Sequence, residues 1–422
     1  MRMGVLFLGT VLVILCGCAA GEEEEPVEIT LMHGWGGTLS THAVMQSIYD
    51  DFSEENPDIK LTCLPSSDST LAVEAANDLL AVDKMPDIVS TNGLAYYERN
   101  AVKRGMALDL LPYIREDAEF QEEIHPSVLE LWEEEGSLYT VPDALEVMGY
   151  WYNAEYFKRA GVTDERGQVK TPDTWEEFFD ACEKVDLWME KEKPKASVLA
   201  LDAEQVVEGF FLARVAGCGE EGLKMTVKNP ENYTGEAVKR AVADAGSLYQ
   251  YSNNVNSLEN ARQAFLEGNS AVYINGVWES QVLENSSISD QIRYANYPTE
   301  NGESLSYVSP SSGYVIAKSD DPKKEEACVR FLKYMLSKNV QMKIAVETGQ
   351  APENPGIDKV ELTKSLPMLG NALEKAHDAD IQIYAMSSLW KSSVVEELKN
   401  NIYQATQSKS SYEDLFENLA SK

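Results

Sequence analysis

The chain has 422 residues, a length that allows two or three domains, each with its own core. Apolar residues make up 44% of it and charged residues 25%, as is typical of a soluble globular protein. The formal net charge of −34 comes from 70 acidic and 36 basic residues. Such a surface repels phosphate backbones and argues against nucleic acid as a partner.

The first residues predict a targeting segment. Residues 4–15 are apolar but fewer than the roughly 20 residues that span a bilayer. The next residues, L-C-G-C ending at Cys18, resemble a bacterial lipobox, which implies cleavage before Cys18 and acylation of that cysteine. The alternative is an ordinary secretory signal cut after Ala20. The lipobox interpretation gives a signal peptide, 1–17, and an acylated cysteine with an acidic tether, 18–26.

Strands and helices alternate in the following stretch. Val27, Ile29 and Leu31 alternate with polar residues and predict a strand that ends in a Gly-rich turn. A strand at 59–63, a helix at 70–82 and a strand at 86–90 are predicted next. This alternation predicts a mostly parallel sheet with helices on both faces.

A break in the pattern follows at Pro142. A strand-like run at 138–141 stops there, a short polar segment follows, and a second β-rich run covers 147–152. The segment contains Asp143 and Glu146, and we interpret it as a crossing of the chain between two lobes.

Capping signals mark the helices of the second half. Thr174 and Glu177 have the spacing of a capping box, and Asp321 precedes a proline at the start of a predicted helix. Further predictions are strands at 271–275 and 312–318 and helices at 323–337, 388–406 and 411–420.

Four short motifs, each present once, follow one another along the chain. They are the "PD-apolar-apolar" strand at 85–89, the "L-D-L" segment with its proline at 107–113, the "P-x-T-W-x-E-F"-like helix start at 171–178, and the "F-x-x-G…G-x-W" segment at 265–278. Together with the crossing at 136–162, they resemble the extracellular solute-binding proteins of family 1. This maltodextrin-binding-like group supplies carbohydrate importers.

The resemblance implies an α/β fold of the two-lobed periplasmic-binding-protein-like type (type II). Its discontinuous lobes are joined by hinge crossings, and the ligand lies between them. Open α/β sheets also bind ligands at the carboxyl ends of their strands. The predicted lobes are 27–143 plus 307–337, and 144–306 plus 338–422. The predicted hinges are 143–147, 304–310 and 337–340.

A sugar site needs flat aromatic faces surrounded by hydrogen-bonding groups. Three tryptophans are predicted to supply the faces: Trp35, Trp278 and Trp390. The polar contacts are predicted to be Thr91, Asn92, Asp143, Glu146, Tyr150 and Gln350, while Gly276 would allow the backbone to approach the ligand. The roles of Glu146 and Trp390 rest on the resemblance. The alternatives are core packing for the tryptophans and capped or solvated loops for the polar residues.

Signals for catalysis and cofactors are weak. The four histidines are isolated, and we predict no metal and no cofactor. With 70 acidic residues, the proximity of Asp143 and Glu146 is poor evidence for glycosidase chemistry. Cys63, Cys182, Cys218 and Cys328 have no C-x-x-C spacing, and we expect buried free thiols.

These observations predict a lipid-anchored, monomeric receptor on the extracytoplasmic face of a bacterial cell membrane. It would capture a sugar, expected to be an oligosaccharide, without altering it. Its partners would be the permease subunits of an ABC importer and the membrane itself, through Cys18. One alternative is a cell-surface glycosidase or lyase, and another is a sensory module that presents ligand to a membrane kinase. The sequence does not identify the sugar.

Overall fold

A computed structural model describes residues 25–91, 96–228, 230–252, 257–310 and 313–422. Strands in these residues form two sheets. The strands are β1 (Val27–His33), β2 (Ile59–Pro65), β3 (Ile88–Ser90), β4 (Thr140–Val141), β5 (Leu145–Asn153), β6 (Ser197–Ala200), β7 (Ser270–Gly276), β8 (Ile292–Ala295), β9 (Leu305–Pro310), β10 (Tyr314–Ile316) and β11 (Ile381–Ile383).

Helices cover both sheets and form the C-terminus. They are α1 (Ser40–Glu55), α2 (Ser69–Ala81), α3 (Tyr96–Lys103), α4 (Leu111–Glu116), α5 (Ala118–Glu122), α6 (Pro126–Trp132), α7 (Ala154–Arg159), α8 (Trp175–Glu192), α9 (Ala203–Gln205), α10 (Leu212–Ala216), α11 (Glu220–Met225), α12 (Glu236–Leu248), α13 (Leu258–Leu266), α14 (Ser280–Glu284), α15 (Pro322–Leu336), α16 (Lys338–Thr348), α17 (Lys359–Ser365), α18 (Pro367–His377), α19 (Met386–Leu389), α20 (Ser392–Ala405) and α21 (Lys409–Ala420). Short 3₁₀ turns lie at Tyr249–Tyr251, Val277–Glu279 and Ser289–Gln291, and a π-helical segment at Val206–Phe211.

Both predicted caps are present. The Thr174 hydroxyl accepts a hydrogen bond from the Glu177 N–H at 3.2 Å, and the Asp321 carboxylate accepts one from the Lys323 N–H at 3.0 Å. Each satisfies an amide of a first helical turn that has no partner within the helix.

The first sheet has the strand order β2-β1-β3-β10-β4, and the second has the order β11-β9-β5-β7-β6 with β8 paired to β5. The two-lobed α/β architecture is thus confirmed. The expectation of a mostly parallel sheet is confirmed, because β1, β2, β3 and β4 share one direction in the first sheet and β6, β7, β8, β9 and β11 share one direction in the second. One strand in each sheet departs from this pattern: β10 is antiparallel to β3 and β4, and β5 is antiparallel to β7, β8 and β9. Each of these two strands enters its sheet from the other lobe, and therefore begins at the edge where the neighbouring strands end.

The core is divided by the sheets, because side chains alternate between the two faces of a strand. In β5, Met148, Tyr150 and Tyr152 pack on one face of the second sheet, and Val147 and Trp151 pack on the other. The first sheet likewise separates a cluster with α1 and α15 from a cluster with α2 and α3.

The chain passes between the sheets at 142–144, between β9 and β10, and between α15 and α16. Residues 307–310 lie in β9 of the second sheet, whereas the sequence prediction assigned them to the first lobe. Helix α16 follows the last crossing and packs on both α1 and α14.

No helix in the described part of the chain is long and apolar enough to cross a membrane. Cys63, Cys182, Cys218 and Cys328 are free thiols, as expected, but only Cys182 and Cys328 are buried.

Candidate functional site

The carboxyl ends of strands from both sheets meet at the crossings. Strand β4 ends at Val141, directly before the first crossing, and β1, β2 and β3 run in the same direction and end at that edge. Strand β5 begins at Leu145, directly after the crossing, and the antiparallel strand β7 ends beside it. Because the connection is so short, the two edges lie close together, an arrangement that commonly binds ligands in open α/β sheets.

Trp35 lies at the edge of the first sheet, after β1, and is only 7% exposed. The backbone N–H of Trp35 donates to His33 Nδ1 at 3.1 Å, and Gln46 Nε2 donates to the backbone carbonyl of Trp35 at 3.0 Å. Burial, with a smaller effect of His42, lowers the pKa of His33 to about 4, so this imidazole is a neutral acceptor at neutral pH. A buried polar network therefore holds the backbone of Trp35, in contrast to the exposed turn expected from the sequence.

Trp35 nevertheless borders a cavity of about 260 Å³, together with His42, Gln46 and Pro65. The rings of Trp35 and His42 meet edge to face with centroids 5.5 Å apart. The Trp35 Nε1 donor is buried and lies near the Tyr49 hydroxyl, although it completes no well-formed hydrogen bond within the described residues. The indole therefore borders the cavity with its ring and not with a free donor.

Thr91 follows β3 at the same edge and is fully buried. Its N–H and its hydroxyl both donate to the Gly313 carbonyl at 2.8 Å. The hydroxyl proton therefore ties β3 to the start of β10 and is not directed at a ligand. Asn92, also predicted to contact ligand, lies outside the described residues.

Glu146 and Gln350 lie together at the edge of the second sheet. The Tyr307 hydroxyl donates to Glu146 Oε2 at 3.0 Å. The Leu145 N–H donates to the Ala351 carbonyl at 2.9 Å, which brings the neighbouring Gln350 beside the start of β5. Burial, followed by the nearby Glu146 carboxylate, raises the pKa of Tyr307, so its hydroxyl stays protonated and remains a donor.

Trp278 is the one predicted indole that remains partly exposed. It lies in the 3₁₀ turn after β7, and Gly276 pairs with Met148, two residues beyond Glu146. A Cβ on Gly276 would lie 2.1 Å from Cζ3 of Trp278. The glycine therefore gives room to the indole, rather than to a ligand as the sequence analysis expected.

Asp143 lies within the first crossing and is 6% exposed. Its carboxyl group is hydrogen-bonded to Tyr314, and its carbonyl accepts from Gln341 Nε2 at 2.9 Å. Burial raises the pKa of Asp143 to about 6, even though its hydrogen bonds act in the opposite direction. These contacts give Asp143 a structural role at the hinge.

Tyr150 and Trp390 lie in the core of the second lobe. Tyr150 is fully buried and packs edge-on against Phe178. Trp390 is 2% exposed, packs against Phe211 and donates from Nε1 to the Met225 carbonyl at 2.8 Å. Neither ring has a face available for a sugar in this conformation, so we leave both out of the proposed ligand contacts.

Sequence reasoning missed an ion pair with a buried carboxylate beside Trp278. Arg262 donates from Nε and Nη2 to the two carboxylate oxygens of Glu279, at 2.7 and 2.8 Å. The two residues are 17 positions apart, a separation that matches no helix or strand period. Only the packing of α13 on β7 brings them together.

Sequence reasoning also missed Glu208, on the π-helical segment that follows β6 and α9. Its carboxylate pairs with Lys399 at 3.1 Å, and burial raises its pKa despite that lysine. A single extra residue per turn creates such a segment, and no spacing in the sequence indicated it.

The lobes also touch away from the crossings. Arg99 Nη2 in α3 of the first lobe donates to the Ser392 hydroxyl in α20 of the second lobe at 2.9 Å. The His125 N–H donates to Glu353 Oε1 at 2.6 Å. These contacts join the lobes in the present conformation.

Among the described residues, no group of three or more His, Cys, Asp and Glu side chains could hold a metal ion. A cavity of about 670 Å³ is lined by Trp151, Ile292 and Lys375. Ile292 begins β8, whose amino end points away from the crossings, so this cavity is separate from the facing edges.

A family described as "Bacterial extracellular solute-binding protein" matches residues 47–370. Among solved structures, a Streptococcus pneumoniae solute-binding protein in complex with the blood group A-trisaccharide has a TM-score of 0.78 at 21% identity, covering 94% of this chain and 100% of that chain. A chitin oligosaccharide binding protein has a TM-score of 0.74 at 20% identity, covering 94% and 99%. Maltose-bound T. maritima MalE3 has a TM-score of 0.72 at 18% identity, covering 94% and 98%. A comparison with curated proteins gives no match.

Proposed function

Because this chain belongs to the bacterial extracellular solute-binding protein family, we propose that it captures an oligosaccharide between its lobes and delivers it to an ABC importer. The observation that carries the proposal is the group formed by Trp278, Glu146 and Gln350 where the second sheet faces the first. The similar structures described with a trisaccharide, a chitin oligosaccharide or maltose support a sugar as the ligand.

The chemistry of this group suits a neutral sugar. The partly exposed face of Trp278 would pack against the C–H groups of a pyranose ring. Glu146 and Gln350 would accept hydrogen bonds from hydroxyl groups at the ring edge. On the opposite edge, the ring of Trp35 would line the sugar site through the cavity that it borders.

Binding would shift a population between open and closed lobe arrangements. A ligand that contacts both edges only when they approach favours the closed arrangement by its difference in affinity for the two states. The rotation would be absorbed at the three crossings. Contacts such as Arg99 to Ser392 would form or break with it.

We further propose that the ligand leaves unaltered. Asp143 and Glu146 would be the carboxylate pair of a glycosidase, but Asp143 is buried in hinge contacts. A buried hinge carboxyl is poorly placed to protonate a glycosidic oxygen. The receptor would be a monomer, anchored to the outer face of the bacterial membrane through acylated Cys18.

A thermal-shift screen over maltotriose, raffinose, chitotriose and xylotriose tests the proposal, with analysis of products after long incubation. A ligand at about 100 times its dissociation constant should stabilise the folded protein by roughly 2.7 kcal/mol. Saturable binding without new products supports a receptor. Cleaved sugar would instead establish a glycosidase or lyase, and no response to any oligosaccharide would refute the sugar proposal. Copurification with a kinase in place of permease subunits would indicate a sensor.

A further inference from the structure

We propose that the ion pair between the partly exposed Arg262 and the buried Glu279 positions Trp278 for ligand binding. The inference rests on the proposed function, because it concerns the residue expected to contact the sugar. Arg262 and Glu279 would not touch the ligand. They would fix the direction in which the indole of Trp278 points.

The geometry of the 3₁₀ turn carries the argument. Trp278 and Glu279 are consecutive residues of the turn Val277–Glu279, and a 3₁₀ helix has three residues per turn. Neighbouring side chains therefore point about 120° apart. Glu279 is 1% exposed, so holding its carboxylate inward turns the preceding side chain of the same turn, Trp278, toward the cleft edge.

Arg262 binds the Glu279 carboxylate in a bidentate and directional way. Arg262 reaches both carboxylate oxygens from a fixed planar group, a geometry that a lysine cannot reproduce. Arg262 belongs to α13, which packs along β7, so the pair connects the turn to the sheet that precedes it. Within the turn, the Ser280 hydroxyl donates to the Val277 carbonyl at 2.5 Å.

One further hydrogen bond and one close backbone approach confine the turn from the other sides. Trp151 Nε1 donates to the Gly276 carbonyl at 2.9 Å. At the end of α16, a Cβ on Gly349 would come within 3.0 Å of the Trp278 carbonyl oxygen. The backbone of the turn is therefore confined, and the Arg262–Glu279 pair is its one charged attachment among the described contacts.

The experiment replaces Arg262 with lysine and Glu279 with glutamine, each in the full chain with and without Trp278→Phe. The difference between each pair in acrylamide quenching of fluorescence isolates the contribution of Trp278. Arg214→Lys is the matched control, because Arg214 is also an arginine of the second lobe that pairs with carboxylates, Asp244 and Glu300, and it is more deeply buried than Arg262. Two independent variants keep the test usable if one of them does not fold.

We expect the Trp278 quenching constant to change at least twofold in Arg262→Lys and Glu279→Gln and to stay constant in Arg214→Lys. The dissociation constant of whichever trisaccharide binds the unmodified protein should rise at least tenfold in the first two variants and less than twofold in the control. An unchanged Trp278 quenching constant would overturn the inference, even if the melting temperature falls. If no trisaccharide binds the unmodified protein, the proposed function fails, and the quenching data still decide the positioning role.

Discussion

At the scale of single residues, Trp278 is where ligand and protein are expected to meet most closely. Replacing it with alanine should abolish the thermal shift produced by the bound oligosaccharide, because the apolar face for the sugar ring is lost. The melting temperature without ligand should change little, since the indole is partly exposed. Differential scanning fluorimetry with and without sugar measures both quantities.

Trp188→Ala is the matched control for this substitution. Trp188, in α8, is also partly exposed and belongs to the second lobe, but it packs on Tyr156 of α7, with ring centroids 5.1 Å apart. It should keep the ligand-induced shift. A full shift in Trp278→Ala would show that the sugar binds elsewhere.

Asp143 gives a prediction about pH. Its pKa is raised from 3.8 to about 6, so between these values the folded protein keeps a proton that the unfolded chain has released. The stabilisation is complete below about pH 4 and is lost as the pH rises through 6, for a total of about 3 kcal/mol. Asp143→Asn removes this titration, so its unfolding free energy should fall less between pH 4 and 7.

Urea unfolding at a series of pH values measures the difference between the two proteins. Buried carboxyls that do not interact with Asp143, such as Glu208 with its raised pKa, contribute equally to both curves and cancel. Glu353 does not cancel, because the Asp143 charge helps to raise its pKa, so both proteins are compared in a Glu353→Gln background. Parallel curves for the two proteins would contradict the assignment of the raised pKa to Asp143.

Trp390 and Tyr150 show which structural properties a local residue pattern predicts and which it does not. The spacing of Tyr150 to Tyr152 correctly indicated a strand, but only the pairing of β5 with β7, β8 and β9 shows that both of its faces are covered. Trp390 was expected on a continuous helix. It instead lies between α19 and α20, where its indole reaches the Met225 carbonyl. Long-range contacts decide both cases, and a local pattern carries no information about them.

At the scale of elements, Gly349 ends α16 in the left-handed region, with φ of 81°. Gly349→Ala should destabilise the fold through backbone strain, about 1–2 kcal/mol, and should also press a methyl group against the Trp278 carbonyl. We therefore expect weaker sugar binding in addition to the lower stability. Urea unfolding and calorimetric titration measure the two effects.

Gly302→Ala is the control that separates backbone strain from the contact with the Trp278 carbonyl. Gly302 has nearly the same φ, 82°, and a Cβ there would have no heavy atom within 4 Å. This variant should lose stability and keep its affinity. Equal affinities in the two variants would mean that the end of α16 has no influence on the ligand site.

Element types were predictable where local signals were strong. The caps at Thr174 and Asp321 and the helix 70–82 agree with the structure to within one or two residues, because these signals lie within one turn of the chain. The reversed direction of β5 and β10 within otherwise parallel sheets was not predictable in this way. It depends on the edge from which a strand enters its sheet, and only the crossings determine that edge.

At the scale of the whole molecule, the Arg99–Ser392 hydrogen bond is a solvent-exposed contact between the two lobes. Arg99→Ala should favour the open arrangement slightly, because an exposed contact contributes only about 0.2–1 kcal/mol. We expect a dissociation constant about two- to threefold higher, mainly through faster release of the sugar. Stopped-flow fluorescence measures both rates.

Arg104→Ala is the control for the loss of an exposed arginine. Arg104 pairs with Asp83 at 3.0 Å within the first lobe, so its removal breaks no contact between lobes. It should leave the release rate unchanged. An equal effect of both substitutions would point to net charge as the cause.

The three crossings have a consequence for how this molecule could be cut apart. Each half is assembled from separate stretches of polypeptide. If the chain is cut at 142–144, β10 and α15 of the first lobe stay covalently joined to the second lobe through the two remaining connections, and the fragment with β1 to β4 stays attached to them by packing alone. A clipped receptor should therefore elute as one particle under native conditions and separate into fragments only in denaturant. For the same reason, a gene fragment encoding one uninterrupted stretch would yield neither half as an independent unit.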